Sequence, residues 1–154
     1  MKYTFMNRHN KILEFEYNGG YDAYKGITHI YDLTYAPLSL FYCGNNDLNK
    51  VFYKWLKKRG IPESRDNLKY LLDTLKQITT TELMITQYGL SLSDQYWFLS
   101  ENEDVLWEDI NYFDNSYDSS QFLKATFSLN IDTQNYTKHT PNASTNGQLS
   151  KCWV

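Results

Sequence analysis

Cysteine is scarce in this 154-residue chain, with only Cys43 and Cys152. Two thiols cannot make the dense disulfide framework of a small secreted scaffold, so free thiols in a reducing cytosol are expected. No export signal is expected, because Met1 to Tyr17 alternates apolar and polar residues instead of carrying an apolar run. No stretch approaches the roughly 18 consecutive apolar residues that would span a bilayer, so no membrane partner is expected. A basic excess is also missing. The 15 Lys and Arg against 18 Asp and Glu leave a net charge of −3 at pH 7, which argues against a general nucleic-acid binder. That charge is also too mild for a DNA mimic. Gly19-Gly20 is the only paired glycine, and neither dinucleotide nor Walker-type phosphate loops occur. Kinase catalytic-loop and DFG motifs are absent too. His9, His29 and His139 are scattered, and the cysteines sit in no zinc-type spacing. Neither a cofactor nor a metal is expected, and the location expected is cytoplasmic.

Aromatic residues are abundant: 14 Tyr, 8 Phe and 4 Trp make 17% of the chain. Tyrosine, with its apolar body and polar tip, suits half-buried strands and interfaces. The length fits one domain with a self-sufficient core. Roughly period-two alternation predicts a hairpin: Tyr3 and Phe5, a turn at Asn7 to Asn10, then Ile12, Leu13, Phe15 and Tyr17. A third strand is expected over Ile27–Leu33, followed by an irregular stretch around Pro37. Caps at Asn45, Asn46 or Asp47 open a helix that buries Val51, Phe52, Trp55 and Leu56, with Gly60 as its stop. Pro62 and Ser64 are expected to open a second helix with Leu68, Leu71, Leu72 and Leu75 on one face, interrupted by Thr79 to Thr81. A third follows over Glu82–Tyr88, then an aromatic strand over Gln95–Leu99. A helical turn at Trp107 and Ile110 comes next, and a last helix carries Phe122, Leu123 and Phe127. The expected class is α+β: an N-terminal antiparallel hairpin or small sheet packed with about three to four helices. The expected organisation is a domain over 1–131, a polar linker over 132–148 and a strand over 149–154.

Charge is distributed unevenly. Residues 1–60 carry 9 basic and 5 acidic groups, whereas residues 100–154 carry 3 and 8. Glu101, Glu103, Asp104, Glu108, Asp109, Asp114 and Asp118 crowd one segment without a base. Trp107, Ile110 and Phe113, spaced by three, are expected to face the core while these acids face water. The resulting negative patch can steer toward a basic protein partner, so Glu101, Glu103, Asp104, Glu108 and Asp109 are the candidate partner-binding residues. Lys54, Lys57, Lys58 and Arg59 read first as a solvated helix face whose cations favour the macrodipole. As an alternative they form a nucleic-acid-contacting patch. An enzyme would instead need Asp94, Glu108, Asp109 and His29 to converge in a pocket. The strand tyrosines Tyr17, Tyr21 and Tyr24 are a further place for an interface.

Four strings are considered together: Trp55 to Arg65, Gly89 to Phe98, Trp107 with Ile110 to Asn115, and Thr140 to Trp153. In this order they resemble the N-terminal accessory region of HipA-like serine/threonine kinases of Gram-positive bacteria and their mobile elements, over residues 50–154. In that family the kinase machinery lies beyond the Trp-containing strand, so no catalytic residue carries over. The resemblance implies a non-catalytic regulator or inhibitor that works by protein–protein binding. Its expected partner is a kinase core, in the manner of an antitoxin, or a host defence nuclease, in the manner of an anti-CRISPR protein.

Overall fold

The structure is a computed structural model that describes residues 1–20, 23–44, 46–64 and 68–115. The last helix around Phe122, the 132–148 linker and the 149–154 strand all lie outside the described residues. Two-residue alternation builds a four-stranded antiparallel sheet. Strand β1 (Lys2–Asn7) pairs with β2 (Asn10–Tyr17), placing Phe5 opposite Leu13 and Tyr3 opposite Phe15. Strand β3 (Tyr24–Ile30) flanks β2, and β4 (Tyr96–Ser100) flanks β1 with Phe98 opposite Phe5. The strand order is β3-β2-β1-β4, and the class is α+β as expected.

The helices are α1 (Leu38–Phe41), α2 (Leu48–Arg59), α3 (Leu68–Leu75), α4 (Thr80–Thr86) and α5 (Trp107–Ile110). Asp47 caps α2 by accepting the Asn49 N–H at 3.0 Å. Several boundaries differ from expectation for local reasons. The third strand begins at Tyr24 and stops at Ile30, because Asp32 caps a 3₁₀ turn over Leu33–Tyr35 by accepting the Thr34 N–H at 2.9 Å. The stretch after Pro37 is helical and buries Leu40. Pro62 and Ser64 precede α3 and do not belong to it. Thr79 starts a helix: its hydroxyl accepts the Glu82 N–H at 3.1 Å and caps α4.

One face of the sheet carries Phe5, Phe15 and Phe98, which meet Phe52 and Leu56 of α2 with Met84 and Ile85 of α4. The Phe52 ring lies 5.5 Å from Phe5 and 5.1 Å, edge-on, from Phe15, which are favourable aromatic geometries. Alternation sends Met6 and Trp97 to the opposite face, where Leu90, Trp107, Ile110 and Tyr112 cover them. A third cluster joins Ile61 and Leu83 to Leu68 and Leu72 of α3. Gly89 makes the turn between α4 and β4 possible. Its φ of +59° is left-handed, and a Cβ there would stand 2.4 Å from Phe98 Cε2.

Helix α2 also reaches both edge strands of the sheet. Asn49 Oδ1, at its first turn, accepts the Ile27 N–H at 2.7 Å and the Tyr24 O–H at 3.1 Å. Arg59, its last residue, donates to the Tyr96 carbonyl at 2.9 Å and to the Gly89 carbonyl at 2.8 and 3.0 Å. Twelve helical residues reach about 18 Å, enough to cross three inter-strand gaps of about 4.8 Å. Unpaired edges invite strand addition from other chains. Here α2 occupies one backbone group on each edge strand, and the Tyr88 carbonyl takes the Phe98 N–H at 2.9 Å.

Candidate functional site

The acidic segment after β4 covers the sheet face opposite α2. Trp107 and Ile110 anchor it in the core beside Trp97. Helix α5 stops there because Asn111, fully buried, takes over the chain. Its Nδ2 donates to the Trp107 carbonyl at 3.0 Å, and its Oδ1 accepts the N–H groups of Phe113 and Asp114 at 2.9 and 2.8 Å. This Asx-type turn breaks the spacing of three. Tyr112 turns inward, and Phe113 is 50% exposed rather than in the core. Leu106, on the other side of Trp107, is 61% exposed. Two large apolar side chains therefore stand in water on a surface whose charged groups are mainly acids.

Those acids are not equivalent. Glu101, Asp104, Glu108, Asp109 and Asp114 are exposed. Glu101 accepts the Lys2 N–H at 3.0 Å, Asp109 accepts the Leu106 N–H at 3.3 Å, and Glu108 lies 3.1 Å from His9 Nε2. Glu103 is half-buried and accepts the Tyr88 hydroxyl. Burial, then the Glu103 charge and hydrogen bond, push the Tyr88 phenol up to about 12. Burial and, next, the same carboxylate push Tyr3 up as well. Glu103 is thus tied into the fold, and the remaining acids form the outward face. Asp118 lies outside the described residues.

The basic helix face differs from expectation at one residue. Lys54, Lys57 and Lys58 are exposed, but Arg59 is buried. Arg59 Nη1 and Nη2 donate to the two Asp94 oxygens at 2.7 Å each, and its other bonds hold Gly89 and Tyr96. A guanidinium committed in this way is not available to a phosphate. Its spacing carries the reason: residue 59 continues the apolar stripe of Phe52, Trp55 and Leu56. Lys50, outside the sequence-predicted set, joins the outward lysines and sits 3.8 Å from Asp47.

Asp94, Glu108, Asp109 and His29 each have separate partners. Asp94 is paired with Arg59, Glu108 with His9, and Asp109 caps α5. His29 stands exposed on edge strand β3 with its ring edge-on to Tyr31. Among the described residues no group of three or more His, Cys, Asp or Glu is arranged to hold a metal, and no helix is long and apolar enough to cross a membrane. The described strand tyrosines are engaged inside the fold. Tyr17 is buried with its hydroxyl 3.4 Å from Thr79 Oγ1, and Tyr24 is half-buried and stacked on Tyr53. Tyr21 lies outside the described residues. Cys43 is a free, half-buried thiol.

A second apolar surface went unread in the sequence. Tyr35, Leu38, Phe41 and Tyr42 are all exposed, Leu38 and Tyr42 at 73% and 72%. The available signal was the absence of charge: residues 33–46 contain no Asp, Glu, Lys or Arg. Compared with protein-family models, with curated proteins and with solved structures, the chain matches none.

Proposed function

We propose that the protein is a non-catalytic regulator or inhibitor that binds another protein through the outward face of residues 101–114. The observation that carries this reading is the exposure of Leu106 and Phe113 among Glu101, Asp104, Glu108, Asp109 and Asp114. Apolar anchors inside a charged rim are the usual anatomy of a protein interface. The rim's sign selects a basic partner and speeds encounter with it. A kinase core of the HipA-like kind is the partner that the resemblance suggests. The nucleic-acid groove of a defence nuclease, basic because it binds phosphates, is the other. The test places a photoreactive phenylalanine at position 106 or 113 of the full chain in cells, with position 78, also exposed, as control. Discrete cross-linked species from 106 and 113 but not from 78 are expected. Identical patterns from all three positions would remove this face from consideration.

A further inference from the structure

The face opposite the acids has the complementary chemistry. Lys50, Lys54, Lys57 and Lys58 project from successive turns of α2, all exposed, along about 12 Å of helix. At the start of that row lies an open groove of about 330 Å³ between β3 and α2, lined by Ile27, Thr28, His29, Ile30, Leu48 and Asn49. Beside it stands the uncharged aromatic surface of Tyr35, Leu38, Phe41 and Tyr42, an exposed patch of the kind that marks an interaction site. No acid occurs between Leu33 and Asn46 to repel a negative partner.

We propose that this groove and lysine row dock the 101–114 face of a second copy of the chain. The proposal rests on the reading of that face as a docking surface, and it names one basic surface that the face fits. Leu106 and Phe113 supply the apolar side chains that the groove and aromatic patch can cover. Asp104, Glu108 and Asp114 supply the charge that the lysines can meet. The two surfaces lie on opposite faces of one sheet, so no molecule can satisfy both from within itself. Each copy therefore offers one of each, and the contact is heterologous. Such contacts propagate head to tail rather than closing as a twofold dimer. Exposed ion pairs are individually weak and are screened by salt, so the assembly is reversible and salt-sensitive.

Sedimentation velocity on the full chain tests the proposal. In about 10 mM salt, where screening is slight, the average mass rises with concentration without a plateau. In about 0.3 M salt it returns to the 18.3 kDa monomer. Two triple variants separate the surfaces: Asp104→Asn/Glu108→Gln/Asp114→Asn, and Lys50→Gln/Lys54→Gln/Lys58→Gln. Each alone associates about tenfold more weakly than the parent. Their equimolar mixture, in which one partner keeps the basic face and the other the acidic face, stops at a dimer. A parent that stays monomeric in both salts overturns the proposal, as does a mixture that stays monomeric or a triple variant that assembles like the parent. If the parent is monomeric while positions 106 and 113 still cross-link to a different protein, the self-docking falls and the proposed function stands. If those cross-links vanish as well, both fall.

Discussion

Arg59 and Asp94 face each other through two 2.7 Å contacts, Nη1 to Oδ2 and Nη2 to Oδ1, with the arginine side chain only 5% exposed. The same guanidinium holds the Gly89 and Tyr96 carbonyls. One residue thus fixes the C-terminal end of α2, the α4–β4 turn and the outer edge of the sheet. Removing one partner of such a pair strands a buried charge. Asp94→Ala is expected to weaken the fold by about 3–5 kcal/mol in urea unfolding. Salt should relieve little of that loss, since buried pairs are poorly screened. A loss under about 1 kcal/mol, the scale of an exposed pair, would mean that Arg59 is not held by Asp94.

Two glycines separate backbone strain from crowding. Gly44 and Gly89 both have left-handed φ, +58° and +59°, but only Gly89 has a neighbour in the way of a Cβ, the buried Phe98 ring. Gly44→Ala should cost about 1 kcal/mol from conformation alone. Gly89→Ala should add an overpacking penalty of about 1–3 kcal/mol. Thermal unfolding of the two variants checks this, and equal losses would contradict the contact.

Alkaline stability follows from the tyrosines. Tyr88 is raised to about 12 by burial, then by the Glu103 charge and hydrogen bond, while an unfolded phenol titrates near about 10. The folded state then holds the Tyr88 proton more tightly than the unfolded state does. Its contribution is intact below about pH 10 and is lost as pH rises toward about 12. Tyr88→Phe should flatten the fall in unfolding midpoint across that window. It should not abolish the fall, because burial raises Tyr3, Tyr17 and Tyr96 too. Glu103→Gln should bring the ionisation of Tyr88, and to a smaller extent that of Tyr3, to lower pH in an absorbance titration. An unchanged titration would separate Glu103 from Tyr88.

The strands and α2 were readable because alternation and helical spacing report burial directly: Phe5, Phe15, Phe52 and Leu56 are buried where the pattern puts them. Arg59 was misread because residue type was weighed above position. Its place on the apolar stripe foretold burial, but its partner Asp94, 35 residues away, is set by tertiary structure. Phe113 was misread because a spacing of three implies a buried face only while a helix continues, and Asn111 ends it. The aromatic surface of 35–42 was hidden for the opposite reason. A 3₁₀ turn and a four-residue helix are too short to show a period, so exposure and burial look alike in sequence.

The most direct test of the docking face is kinetic, using the partner captured by cross-linking at Phe113. The association rate of the parent is compared with that of a Glu101→Gln/Asp104→Asn/Glu108→Gln/Asp109→Asn variant across a range of salt. The account predicts that the parent associates faster in low salt and loses that advantage in high salt, while the variant associates slowly throughout and dissociates nearly as the parent does. An unchanged association rate and salt dependence in a normally folded variant would contradict it.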